Sequence, residues 1–225
     1  RRHRHGQTQQ WLLYAGSKTD QTLGGIARVL SNPSKTIVET LTEMKDFPHL
    51  KNDKGESYPH PVVAQAAREM LNKSDNERSG VLSTAMSFLT LYRDPIVAEN
   101  TSESDFCICD LMDAENPVSL YLVVPPSDIN RLRPLVRLMI NQICRRLTEE
   151  HRPRTRRHRL LLMLDEFPAL GRLEFFETAL GFIASYGIKA MLVSQSINQI
   201  RKVYSERNSL LDNTHVRLFY APNTI

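Results

Sequence analysis

Arg159-Leu160-Leu161-Leu162-Met163-Leu164-Asp165-Glu166 is the stretch around which the rest of the chain organises. Five apolar residues without alternation predict a strand covered on both faces, as in the centre of a parallel sheet. Two carboxylates follow with no spacer. Outward from this strand, residues 118–124 (Val-Ser-Leu-Tyr-Leu-Val-Val, closed by Pro125-Pro126), 188–193 and 216–220 also read as strands. Helical spacing separates them. Ile129, Leu132, Val136, Met139, Ile140, Ile143 and Leu147 recur on one stripe, with Ser127 or Asp128 available as a cap and Pro134 set to bend or restart the early turns. A further helix is predicted over 173–185, and Ser194-Gln195-Ser196 opens another. Strands alternating with helices require right-handed crossovers, so residues 100–225 are expected to be an α/β domain with a mainly parallel sheet.

Residues 11–99 differ in character and predict an all-α domain. Thr22 can cap a helix carrying Leu23, Ile26, Ala27 and Leu30. Asn32-Pro33 is expected to open the next helix, residues 49–61 a polar loop, and His60-Pro61 a third helix. A fourth is expected over 79–92, ending at Asp94-Pro95. The first ten residues are basic and polar without apolar periodicity, and are expected to be a frayed terminus or junction remnant.

Composition narrows the function. With 225 residues, 41% hydrophobic and 24% charged, the chain can bury a real core and is not a disordered one. Apolar runs stop at about five residues, against roughly 18 for a spanning helix, and no signal peptide is expected. Three cysteines, with Cys107-x-Cys109 among them, make neither a disulfide framework nor a zinc pattern, so packed thiols in a reducing interior are expected. Nine glycines include no phosphate-cradling arrangement. Ala15-Gly16-Ser17-Lys18-Thr19 imitates one, but Ser17 separates Gly16 from Lys18, and Trp11 stands where the first glycine of G-x-x-x-x-G-K-[ST] belongs.

Ligands of an open parallel sheet bind beyond the carboxyl ends of the strands. Asp165 and Glu166 sit at that edge in the Walker B arrangement. An aspartate there can hold Mg²⁺ directly or through water, with the metal bridging nucleotide phosphates. The following glutamate can orient and deprotonate an attacking water. Gln195, at the end of the next strand, comes beside Asp165 if the two strands are neighbours, and its amide can bond a γ-phosphate or the lytic water. Read alone, Asp165-Glu166 is equally two solvated acids at a strand end, and Ser194 or Ser196 a helix cap.

The segment Leu162-Met163-Leu164-Asp165-Glu166-Phe167-Pro168-Ala169-Leu170-Gly171-Arg172-Leu173 resembles the Walker B region of type IV secretion coupling proteins, the TraG/VirD4 family of conjugative DNA-transfer ATPases. Gln195-Ser196-Ile197-Asn198-Gln199-Ile200, Ser119-Leu120-Tyr121-Leu122-Val123-Val124-Pro125-Pro126, Glu77-Arg78-Ser79-Gly80-Val81-Leu82 and Leu211-Asp212-Asn213-Thr214-His215 resemble further parts of it. The resemblance implies a partial RecA-like P-loop NTPase motor domain with an all-α domain inserted into it. It implies a protein anchored in the bacterial inner membrane, hexameric, that uses ATP and Mg²⁺ to pass relaxase-bound DNA or protein to a secretion channel. This segment would lie on the cytoplasmic side. Asp165 then corresponds to the Mg²⁺-coordinating aspartate, Glu166 to the catalytic glutamate and Gln195 to the phosphate-sensing glutamine. The P-loop and membrane anchors are expected outside these residues, so the chain alone is expected to bind ATP poorly. Some relatives carry an arginine finger where this chain reads Phe182-Ile183-Ala184-Ser185-Tyr186-Gly187. Arg172, Arg201 and Arg207 are the substitutes to weigh, each by default a surface arginine.

Arg152, Arg154, Arg156, Arg157 and Arg159 form the strongest charge cluster, leading into the N-terminal end of the Walker B strand. Arginine forks suit phosphates, so non-sequence-specific DNA contact is one expectation and a solvated loop the other. No aromatic residues interleave the cluster to stack bases. The competing function is non-enzymatic: residues 11–99 as a helical recognition module for a relaxosome or secretion partner. A metal hydrolase built on Asp165 and Glu166 is weak, because no histidine lies nearby in sequence.

Overall fold

The computed structural model describes residues 22–150, 156–206 and 208–220, so the first ten residues and the Gly16-Ser17-Lys18 turn lie outside the described residues. The chain divides between Ser104 and Asp105 into two units.

In the first unit, α1 (Leu23–Leu30) starts where Thr22 accepts the Gly25 N–H at 2.9 Å. Gly24 lets it approach closely: a Cβ there would meet the Tyr92 carbonyl oxygen at 3.2 Å and the Ala98 Cβ at 3.3 Å. Helix α2 (Ile37–Asp46) begins later than Asn32-Pro33 suggests, because Thr36 and Glu39 form a reciprocal capping box. Asn32 is used instead to accept the Ser34 N–H in a local turn. The expected polar loop contains an antiparallel ribbon, β1 (Leu50–Lys51) paired with β2 (Ser57–Tyr58). Asn52 closes it by accepting the N–H groups of Lys54 and Glu56, and Gly55 turns at φ +80°. The unit is therefore helical but not all-α. Helix α3 (Pro61–Leu71) carries Pro61 in its first turn. Helix α4 (Asp75–Leu89) starts at a second capping box, Ser74 with Glu77, ahead of the predicted start. After a 3₁₀ turn, Asp94 caps α5 (Pro95–Asn100). Ala27, Leu41, Val63, Ala67, Tyr92 and Val97 are its buried apolar residues.

The second unit opens with α6 (Asp110–Asp113) and α7 (Ile129–Thr148). Helix α7 runs through Pro134 without restarting, since the missing N–H would have served only the exposed carbonyl of Asn130 in the first turn. Ile140, Ile143, Cys144 and Leu147 bury its apolar stripe. Burial pushes the Cys144 thiol up to about 11, so it is a packed, inert thiol, whereas Cys107 is exposed.

Strand β3 (Leu160–Leu164) pairs in parallel with β4 (Ile188–Leu192), Leu160 opposite Ile188 through Leu164 opposite Leu192. The crossover holds a 3₁₀ turn at Phe167–Leu170, α8 (Glu174–Ala179) and a second 3₁₀ turn at Ile183–Tyr186. The single helix predicted over 173–185 is thus broken. Two further helices follow, α9 (Ile197–Tyr204) and α10 (Ser209–Asp212).

Three strand expectations need correction. Leu160, Leu162 and Leu164 pack on the core, but Leu161 is 56% and Met163 61% exposed, so one face of β3 is bare among the described residues. Residues 118–124 and 216–220 form no ladder. Their apolar content suits a strand, yet a strand exists only where a neighbour takes its backbone hydrogen bonds, and no described residue does so. Among the described residues, the parallel pairing expected of the sheet is present in β3 and β4 alone.

Candidate active site at the strand ends

Leu164 ends β3, and the chain turns sharply beyond it. Asp165 is exposed, and its Oδ1 accepts the Glu166 N–H at 3.1 Å. Glu166 lies in the left-handed region at φ 45°, ψ 40°. For a residue with a Cβ that conformation costs about 1–2 kcal/mol, so the surroundings must enforce it. They do. Phe167 donates its N–H to the Val193 carbonyl at 3.0 Å, Val193 donates to Leu164 at 3.0 Å, and Ala169 donates to the Glu166 carbonyl at 2.8 Å. Phe167 itself is wholly buried. The turn thus projects Glu166 to solvent while its next side chain is locked in the core.

Gln195 follows β4 and reaches the same edge. Its Nε2 donates to Glu166 Oε1 at 2.8 Å. Its own N–H donates to Gln199 Oε1 at 3.2 Å, and Ser196 caps α9 by accepting the Gln199 N–H. Of the two serines weighed as a cap, Ser196 is the one used. The in-register pairing of β3 and β4 brings Asp165, Glu166 and Gln195 to one edge, with Gln195 bonded to Glu166 rather than to Asp165.

The edge suits a hard cation. One Asp165 oxygen is engaged by backbone and the carboxylate has no other partner among the described residues. No group of three or more His, Cys, Asp or Glu side chains forms a metal cage among the described residues. A single carboxylate with water and phosphate completing the shell is how Mg²⁺ is commonly held at nucleotide sites.

Two of the arginines weighed as fingers make ion pairs within the unit. Arg172 Nε lies 3.1 Å from Glu177 Oε2 and Arg201 Nε 3.4 Å from Glu206 Oε2; Arg207 lies outside the described residues.

At the opposite edge, where β3 and β4 begin, an open cavity of about 440 Å³ is lined by Arg156, Arg157, His158, Arg159 and Lys189 together with Met112 and Gly187. Arg156 pairs with Asp113, and His158 Nε2 donates to the Ala114 carbonyl at 3.1 Å. Arg157, Arg159 and Lys189 are exposed and carry no ion pair among the described residues. Arg152 and Arg154 lie outside the described residues. Lys189 is the member that sequence reasoning misses, because only the parallel register brings it beside Arg159.

The family model described as "Type IV secretory system Conjugative DNA transfer" matches residues 8–224. The chain belongs to this family. Among relatives of this coupling-protein family, the conjugal transfer protein TraG of Escherichia coli is 44% identical over 216 residues, covering 92% of this chain and 33% of TraG. Protein VirD4 of Rhizobium radiobacter is 34% identical over 182 residues, covering 74% of this chain and 26% of VirD4. The chain therefore spans about a third or less of the curated relatives it matches. The fold is shared with the plasmid coupling protein TrwB. Its complex with the ATP analogue ADPNP superposes with a TM-score of 0.54 at 18% identity, covering 93% of this chain and 52% of TrwB. A TrwB complex with ADP and Mg²⁺ superposes with a TM-score of 0.51 at 18% identity, covering 91% and 51%. No helix of the described residues is long and apolar enough to cross a membrane.

Proposed function

We propose that this coupling-protein segment is the hydrolytic half of an ATP-driven motor that delivers relaxase-bound DNA, or protein substrates, to a type IV secretion channel. The carrying observation is the 2.8 Å hydrogen bond between Gln195 and Glu166 at the carboxyl ends of two paired parallel strands. In this reading Asp165 holds Mg²⁺ through water, and the metal neutralises phosphate charge when bound. Glu166 Oε accepts a proton from a water on its exposed side. Gln195 shares its amide between Glu166 and the terminal phosphate, so the glutamate is freed or held according to which phosphate is present. The binary complexes of TrwB with ADP and with ATP analogues support a nucleotide role for the family's motor. The parent protein is taken to be a membrane-anchored homo-hexamer with the RecA-like motor interrupted by the helical first unit. That unit is read as the part facing the relaxosome.

The test is Mg²⁺-dependent ATP turnover by the full-length protein, with and without single-stranded DNA. Turnover stimulated by DNA is expected, and a full-length, nucleotide-binding protein with none overturns the reading.

The basic edge is assigned to the DNA backbone. Three cations with no ion pair among the described residues line one cavity and repel one another unless an anion joins them, and each neutralised phosphate contributes a counterion-release term. Removing charge at Arg157, Arg159 and Lys189 together is expected to lower the slope of log affinity against log salt by roughly 0.7 per lost contact on single strands. Fluorescence anisotropy with unrelated oligonucleotides would read it, the loss being equal for all sequences. An unchanged slope removes this edge from the DNA path.

A further inference from the structure

Helix α9 has a functional residue at one end and a buried anchor at the other. Gln195 and its cap Ser196 precede the first turn; Tyr204 is the last residue and is fully buried. The Tyr204 ring stacks on Phe167, with centroids 5.4 Å apart and planes 13° apart. Its hydroxyl accepts the Leu173 N–H at 3.1 Å and donates to the Gly171 carbonyl at 3.3 Å. These are the backbone groups where the chain leaves the turn begun by Asp165 and Glu166. Phe167, the other contact, is the residue next to Glu166. Tyr204 therefore grips both ends of the segment that directly follows the glutamate.

We infer that Tyr204 is a positioning residue for Glu166: it ties the helix that begins at Gln195 to the turn that carries Glu166, and so fixes the distance across which the two side chains meet. Burial pushes the Tyr204 hydroxyl up to about 12, so it stays protonated and keeps its donor role at any working pH. Arg137 adds a weaker tether to the same turn, with Nη1 3.4 Å from the Leu170 carbonyl. Among the hydrogen bonds of the described residues, those of the Tyr204 hydroxyl tie the end of α9 to the backbone that leaves the turn. The glutamate's left-handed backbone supplies the need for such a grip, because the relaxed alternative for that residue lies in another region of backbone space.

The inference rests on the hydrolytic reading for its kinetic arm only. Tyr204→Phe keeps the ring and the stack and removes the bridging hydroxyl. In the full-length protein it is expected to lower kcat about 10-fold with KM for ATP within about twofold, since nucleotide is held elsewhere. Placed on a Glu166→Gln background it should produce no further loss, because there is no longer a base to position. A second arm needs no turnover: in the 225-residue chain, the ¹⁵N–¹H resonances of the Gln195 side-chain amide should shift on Tyr204→Phe toward their position in Glu166→Ala. An unmoved Gln195 amide, or a kcat loss that persists undiminished in the Glu166→Gln background, overturns the inference. If wild-type turnover is absent while the amide shifts as expected, the positioning stands and the hydrolytic reading falls.

Discussion

Glu166→Gln in the full-length protein is expected to lower ATP turnover by about 10²–10⁴-fold, the range for loss of a positioned general base, with ATP affinity preserved. The substitution is unusually clean in this structure. Glutamine has the same length, so its Oε1 can still accept from Gln195 Nε2, a bond now 2.8 Å long. The residue remains in the left-handed region imposed by the backbone bonds of Phe167, Val193 and Ala169, and neither amide nor carboxylate relieves that conformation. What disappears is the proton-accepting oxygen. Unchanged nucleotide affinity with collapsed kcat is the signature of an interaction made in the transition state rather than in the ground state. Retained turnover would sink the assignment of Glu166, and a parallel loss of ATP binding would mean that the carboxylate holds nucleotide or metal instead.

The second large effect concerns stability. Phe167→Ala is expected to destabilise the α/β unit by about 3–5 kcal/mol, as for a fully buried aromatic replaced by alanine. Phe167 is 0% exposed and stands between the Tyr204 ring at 5.4 Å and the Phe176 ring at 6.0 Å, so its removal takes a ring neighbour from each. Leu170 and Leu173 belong to the same cluster but sit on backbone already held by hydrogen bonds, which limits collapse into the space. Urea denaturation of the chain would measure it. Amides in α1–α4 should keep their hydrogen-exchange protection, since the first unit has its own buried residues. A loss below about 1 kcal/mol would mean that the site can close up and that the turn is not anchored by this ring.

Much of the site was legible because strand-end chemistry depends on few residues. The apolar runs 160–164 and 188–193 are short, bounded and separated by a crossover, so a parallel sheet with Asp165, Glu166 and Gln195 at its carboxyl edge was readable if the two strands are neighbours, as they are; that Gln195 bonds Glu166 and not Asp165 was not. The departures have separate causes. The starts of α2 and α4 are set by capping boxes, Thr36 with Glu39 and Ser74 with Glu77, both written in the sequence as S/T-x-x-E; Pro33 and Ser79 offer competing start signals that the structure does not use. Residues 118–124 carry a strand's composition, but pairing belongs to the neighbour and not to the segment. The backbone of Glu166 could not be read, since glutamate has no preference for the left-handed region. Tyr204 had a signal. Ile197, Ile200, Val203 and Tyr204 fall on one stripe of α9, which predicts burial of the tyrosine, though not what its hydroxyl would hold.

The bare face of β3 and the unladdered segments have a practical corollary. Leu161, Met163 and Met191 present apolar side chains to water, as do Tyr121, Val123, Leu218 and Tyr220 in the segments that form no ladder. Such surfaces template sheet growth between molecules. With a formal net charge of only +4 and an isoelectric point near 9.0, repulsion between copies is slight and vanishes in mildly alkaline buffer. Expressed by itself, this chain is expected to stay in solution best in mildly acidic, low-salt buffer, which is where solution measurements on it belong.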